Sequence, residues 1–176
     1  RSIFFDDDTF NLGTKRISKL CDYLKEISLP WTMMGRLDIS PDWLYDKMVD
    51  CGCVGMRFGV ETFNIDVLKN IEKGIERRDF RKTLEYICLT FPEVMIHITM
   101  MSDMPGQTAE DTELDMKIIK EMGFSNDNIL RSYQLSKCAP FPGTKLYEQM
   151  KTRLDEATLK TYTLYDGGQD TIMKAS

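Results

Sequence analysis

Apolar residues recur along the chain at two alternating periods, two and about 3.6, which predicts strands and helices in turn. Residues 3–7 (Ile-Phe-Phe-Asp-Asp) read as a strand with an acidic end. Residues 14–27 follow as a helix, with Ile17, Leu20, Cys21, Leu24 and Ile27 on one face. Residues 32–38 form a second strand. Ser40 as N-cap and Pro41 in the first turn then open a helix that Gly52 closes. A third strand at 54–60 leads into a short helix at 64–73 and a longer one at 78–90. A fourth strand spans 94–101. Thr108 with Asp111 reads as a capping box for a helix that runs to about Met122 before Gly123. A fifth strand covers 129–135, and one helix covers 144–160.

Strands that each feed a helix imply a parallel sheet with right-handed crossovers. Such a sheet closes as a barrel or stays open. Eight β/α units take about 250 residues, so 176 residues suit an incomplete barrel. Asp6-Asp7-Asp8-Thr9 occupies the turn where a dinucleotide-binding fold carries its glycine-rich fingerprint, which argues against that fold.

Strand alternation then sorts the faces. Met34, Arg36 and Asp38 share one side of the second strand, Arg57, Gly59 and Glu61 one side of the third, and His97, Thr99, Met101 and Asp103 one side of the fourth. Three neighbouring strands thus direct polar residues toward one interior. Buried charge is costly unless paired, so a polar interior points to a ligand or a wet cavity.

Composition narrows the classes. With 42% hydrophobic and 29% charged residues the chain reads as an ordinary globular domain. A net charge of −5 argues against nucleic acid as a partner, because phosphate binding needs clustered Lys and Arg. No apolar run approaches the roughly 20 residues of a membrane span, and no signal peptide opens the chain. The apolar triplet Ile3-Phe4-Phe5, reached almost at once after Arg1, suggests a piece excised from a longer protein. Five scattered cysteines suggest reduced thiols and a cytoplasmic setting. Cys51 and Cys53 read as structural, one ending a helix and one opening a strand.

Several motifs in this order resemble one family. They are Asp7-Asp8-Thr9-Phe10, Arg36-Leu37-Asp38, Phe58-Gly59-Val60-Glu61-Thr62, Leu68 through Gly74, Pro105-Gly106-Gln107-Thr108 and Pro140-Phe141-Pro142-Gly143-Thr144. The chain resembles the core of radical S-adenosylmethionine (SAM) enzymes, in particular the branch where a cobalamin-binding domain often precedes the barrel. The resemblance implies an α/β fold, a partial (β/α)6 TIM-like barrel over residues 1–165, with residues 166–176 as a polar tail. The five strands correspond to the second through sixth. Members carry a Cys-x-x-x-Cys-x-x-Cys loop after the first strand, whose thiolates hold a [4Fe–4S] cluster. That spacing is absent here, so its cysteines are expected upstream of Arg1 and the fragment alone is expected to be inactive. The implied activity of the intact protein is reductive cleavage of SAM to a 5′-deoxyadenosyl radical, for methyl transfer or another radical modification. An electron donor such as flavodoxin or ferredoxin and a small-molecule or macromolecular substrate are the implied partners, with cobalamin as a possible second cofactor.

The resemblance also assigns residues. Glu61 matches the position that accepts hydrogen bonds from the SAM ribose. Arg36 and Lys73 match positions facing the methionine carboxylate, and Thr99 a polar position near the ribose. Gln134 and Leu135 match the adenine-side edge. Asp7 and Asp8 match strand-end positions near substrate or a second cofactor. Where relatives commonly show Gly-x-Pro-Gly-Glu-Thr, this chain has Asp103 for the first Gly and Gln107 for the Glu. Plainer readings stand beside these. Arg36 can pair with Asp38 or Glu61, Thr99 is an ordinary strand residue, and His97 reads as a satisfied interior histidine. The alternative function is a non-redox (β/α) barrel enzyme, or a degenerate barrel, that binds an anionic metabolite.

Overall fold

The computed structural model describes residues 1–70, 79–153, 155–161 and 163. Strand β1 (Ile3–Phe5) leads to helix α1 (Thr14–Ile27), then β2 (Trp31–Gly35), α2 (Asp42–Asp50) and β3 (Cys53–Glu61). Helices α3 (Ile65–Asn70) and α4 (Phe80–Thr90) precede β4 (Met95–Ser102), α5 (Ala109–Glu121), β5 (Arg131–Lys137) and α6 (Lys145–Met150). A 3-10 turn (Lys151–Arg153) and α7 (Glu156–Leu159) complete the described elements.

The sheet is wholly parallel, with strand order β1-β2-β3-β4-β5. Sequential order means that every crossover steps the same way. Right-handed crossovers that step one way put their helices on one face. This is the winding of a barrel, whereas a doubly wound sheet reverses its order partway. Burial agrees. Trp31 and Met33 of β2, Met56 and Phe58 of β3, and Ile96, Ile98 and Met100 of β4 are buried against Ile17, Cys21, Leu44, Leu84 and Ile87 of the helices. An aromatic knot of Phe5, Phe10 and Trp31, with centroids 4.5–5.6 Å apart, closes the β1 end of this core.

The opposite face is polar and accessible. Register aligns Met34, Arg57, His97 and Ser132 in one row across β2 to β5, and Gly59, Thr99 and Gln134 in the next. The alternation expected for β3 and β4 is therefore present.

Helix α1 has the expected bounds, and Thr108 and Asp111 form the expected capping box. Other boundaries moved for identifiable reasons. β1 stops at Phe5 because the chain turns back there, Phe10 N donating to Met34 O at 2.9 Å. β2 stops at Gly35 because Asn11 takes over the pairing of Arg36: Arg36 N donates to Asn11 Oδ1 at 2.9 Å, and Asn11 Nδ2 donates to Arg36 O at 2.7 Å. Arg36 and Asp38 thus lie on a loop past the strand. Ser40 does not cap α2, because its hydroxyl is engaged by Asn11. β5 starts two residues late because Asn128 Oδ1 accepts from Leu130 N and Arg131 N. The single helix expected over 144–160 is broken, and Asp155 caps a new start by accepting from Thr158 N at 2.8 Å. Ile27, expected on the buried stripe of α1, is 53% exposed at the last helical position.

Candidate functional site

The C-terminal ends of the parallel strands are where folds of this winding place their chemistry. Across that end the chain presents, from β1 to β5, Asp7 and Asp8, then Arg36 and Asp38, then Glu61, then Asp103, then Cys138.

Glu61 ends β3 at an irregularity. Gly59 pairs with Thr99 and Glu61 with Met100, so Val60 is one residue too many. Glu61 then adopts φ 66°, the left-handed region. That conformation is uncommon for a residue other than Gly, Asn or Asp, and such residues cluster at ligand sites. The next residues hold it there. Thr62 is fully buried and donates its N–H to Val60 O at 2.9 Å. Phe63 N donates to Asp115 Oδ1 of α5 at 2.8 Å, and the Phe63 ring stacks on Phe80 at 5.7 Å. Asp115 is 3% exposed, and burial raises its carboxyl above the usual range. The buried anchor of the Glu61 loop therefore sits three helices downstream, which strand patterning could not reveal.

Thr99 and Gln134 share a row with Gly59, and Leu135 pairs with Met100 as Glu61 does. The structure therefore brings Glu61, Thr99, Gln134 and Leu135 together on adjacent strands. β5 ends the described sheet, with Gln134 Nε2 bonded to Ser136 Oγ at 3.1 Å and Leu135 43% exposed.

Arg36 sits one strand over. Its guanidinium forms a fork with Asp38, Nε to Oδ1 at 2.9 Å and Nη2 to Oδ2 at 2.7 Å, and this bond is the main cause of its raised pKa. The plainer sequence reading, pairing with Asp38, is thus realised. Buried Asn11 bonds both backbone groups of Arg36, Ser40 Oγ and Tyr45 OH, and Tyr45 OH donates to Arg36 O at 3.0 Å. Gly35 permits this, because a Cβ there would lie 2.5 Å from Asn11 Oδ1. Asn11 and Tyr45 escaped the sequence reading; the signal was an amide directly after the Asp-Asp-Thr-Phe run.

The β4 loop explains the two departures in its motif. Asp103 has φ 60°, where Gly is strain-free and Asp is among the better-tolerated substitutes. Gln107 accepts from Met104 N and donates to Met101 O, both at 3.1 Å. A glutamate could not make the second bond. Glu61 and Asp103 both act on Cys138, whose thiol is pushed up first by burial and then by these two carboxylates.

Asp7 and Asp8 are exposed, with no side-chain partner among the described residues. Lys73 and the 166–176 tail lie outside the described residues. A cavity of about 440 Å³ at this end is walled by Met101, Met104, Cys138 and Lys145, beside the Glu61 row. Cavities of about 690 and 360 Å³ lie elsewhere, and none of these three has Arg36, Glu61 or Thr99 in its wall.

Cys51 and Cys53 are structural, their thiols donating to Met48 O and Gly55 O. Burial pushes the Cys53 thiol up to about 12. Among the described residues no three Cys, His, Asp or Glu side chains are placed to hold a metal ion. No described helix is long and apolar enough to cross a membrane.

No family model matches the chain. It is 26% identical over 152 residues to an uncharacterized methyltransferase of Pyrococcus horikoshii, covering 84% of this chain and 31% of that protein. It is 26% identical over 119 residues to a tRNA uridine(34) acetyltransferase of Methanocaldococcus jannaschii, covering 65% of this chain and 21% of that one. The chain thus spans about a third or less of these curated relatives. Among solved structures, the radical SAM methyltransferase TsrM of Kitasatospora setae, with cobalamin and a [4Fe–4S] cluster bound, superposes with a TM-score of 0.69 at 15% identity over 85% of this chain and 28% of that one. The radical SAM enzyme coproporphyrinogen III oxidase (HemN) of Escherichia coli gives 0.59 at 17% identity, over 85% of this chain and 33% of that one. Sheet order, a single helical layer and this likeness together give the chain the fold of the core of these radical SAM enzymes.

Proposed function

We propose that this chain forms the SAM-side wall of a radical SAM enzyme, and that the whole protein cleaves SAM by one-electron reduction to modify a substrate. The observation that carries this reading is Glu61, the motif carboxylate, held at a β3 irregularity in the left-handed region beside the Thr99 and Gln134 row. A carboxylate there can accept both ribose hydroxyls at once. Thr99 adds a hydroxyl on the same face, and the outer edge of β5 offers backbone groups to the adenine. Arg36 reaches the methionine carboxylate only by sharing its fork with Asp38, so its contribution to affinity is smaller than that of Glu61. Among the described residues no three Cys, His, Asp or Glu side chains are placed to hold a [4Fe–4S] cluster, so this reading requires cluster ligands that those residues do not supply. The methyltransferase and cobalamin in the relatives' names favour methyl transfer as the reaction class.

Calorimetric titration of the chain with SAM tests the wall directly. Charge-assisted hydrogen bonds contribute about 1.5–3 kcal/mol, so Glu61→Gln should weaken SAM about 10- to 100-fold. Equal affinity in parent and variant would remove Glu61 from the site. For the whole protein, anaerobic reconstitution with iron and sulfide should yield 5′-deoxyadenosine from SAM and reductant, and none forming would refute the activity.

A further inference from the structure

Well below the strand ends, the inner face carries a feature that the SAM reading does not use. Arg57 lies in the Met34, His97 and Ser132 row, four residues before Glu61 and so about 13 Å lower along β3. Its guanidinium is exposed, and no acid or carbonyl of the described residues pairs with it. His97 is its neighbour on β4. The His97 Nδ1 is 2.9 Å from Ser132 Oγ, and its Nε2 is buried with no partner among the described residues. The expectation of a fully satisfied histidine therefore holds for one ring nitrogen and fails for the other. These residues line a cavity of about 360 Å³ with Phe4, Thr32 and Met95. Gly55 forms its floor, where a Cβ would come within 2.9 Å of the Thr32 methyl. Phe4 is 51% exposed and Met95 39%.

We propose that Arg57, with Ser132 and His97, forms a binding site for a carboxylate carried on an apolar body. The chemistry selects this ligand. A planar guanidinium matches a carboxylate bidentately, and a lone cation balances a monoanion rather than a phosphate. The Ser132 hydroxyl offers a second donor. Phe4 and Met95 border the cavity with apolar surface that a purely polar anion would leave wet. With Ser132 accepting from Nδ1–H and donating to the ligand, the Nε2–H of His97 gains a carboxylate partner in the imidazolium form, which ties its protonation to binding. The site uses none of the SAM residues, so its failure would leave the SAM reading untouched.

His97 is the sole histidine of the chain, which gives a direct reporter. Burial and then the Arg57 charge hold its pKa below 6.5. NMR of the labelled imidazole during titration with sodium hexanoate, against sodium chloride at matched ionic strength, should show a saturable shift and a rise in the His97 pKa. Acetate should bind at least tenfold more weakly than hexanoate, because it lacks the apolar body. Arg57→Gln should abolish the saturable shift, and Arg57→Lys should retain a weaker one, which separates lost charge from lost fold. A parallel titration with capped Leu-Glu-Leu peptide separates the sources. Saturation by hexanoate identifies a free carboxylate ligand, and saturation by the peptide alone identifies the acidic side chain of a covering segment. Saturation by neither, or an unchanged response in Arg57→Gln, overturns the proposal.

Discussion

The two faces of this one sheet obey different rules. On the helix side, consecutive rows supply Met33, Met56 and Ile96, then Phe58 and Ile98, all nearly inaccessible to water. On the other side the intervening rows supply Arg57 and His97, then Gly59, Thr99 and Gln134. Because successive strand residues alternate faces, a single step along β4 from Ile98 to Thr99 crosses from the core to the candidate site. The contrast teaches that stability and ligand chemistry are separable here at one-residue resolution. Parallel sheets are normally apolar on both faces, so the charged and polar residues of this inner face are the part to explain by function.

The sharpest way to break that contrast is to truncate both neighbours. Ile98→Ala removes a fully buried side chain and should cost about 2–5 kcal/mol through lost burial and a cavity. Thr99→Ala lies on the open face and should change stability by about 0.5 kcal/mol or less. Urea unfolding of both variants measures the ratio. Similar losses would mean that the inner face is as much a core as the outer.

A second test concerns the loop that joins the faces at the β2 end. Gly35→Ala pushes a methyl to 2.5 Å from Asn11 Oδ1 and strains the network that holds the Arg36 loop. Overpacking of this kind costs about 1–3 kcal/mol. Unfolding by urea should show that loss. Crystal coordinates of the variant should show the Arg36 and Asp38 fork displaced. An unperturbed fork would mean that Asn11 does not set the loop.

How much of this was visible in the sequence follows the same division. Alternation placed the inner rows of β3 and β4 correctly, and helical spacing found Ile17, Cys21 and Leu24, because both signals are local and periodic. Caps were readable where the side chain stays with its own helix, as at Thr108, and misread where it does not. Ser40 looked like a cap, yet its hydroxyl serves Asn11, 29 residues away. Asp115, the buried anchor of the Glu61 loop, sits on a helix 52 residues beyond its partner Phe63 and carried no local sign. Arg131 is similar. It lies buried on β5 and donates to Val94, Leu130, Cys88 and Phe91 carbonyls, a clamp on the end of α4 that periodicity could not distinguish from an ordinary surface arginine. The Glu61, Thr99 and Gln134 cluster was legible through motif and strand order together, whereas the left-handed backbone at Glu61 emerged only from coordinates.

The smallest effect expected is a difference in sign between the faces with pH. His97, on the inner face, has its pKa lowered by burial and by Arg57. The unfolded chain therefore binds its proton first, and stability falls as pH drops from about 6.5 through the folded value. Asp115, within the helical layer, has its pKa raised by burial above 3.8. There the folded state binds the proton first, so its contribution rises as pH falls from the folded value toward 3.8. Other carboxylates titrate in the same acid range, and Asp111 with its depressed pKa works in the opposite direction to Asp115. Each term is isolated by subtracting a variant from the parent. Urea unfolding midpoints between pH 7.5 and 4 should show His97→Gln removing a loss of stability below about pH 6.5. Asp115→Asn should remove a gain at lower pH. Parallel curves for parent and His97→Gln would place the imidazole in an environment no different from water, and the distinction between a dry helical face and a partly dry inner face would fail at its most sensitive point.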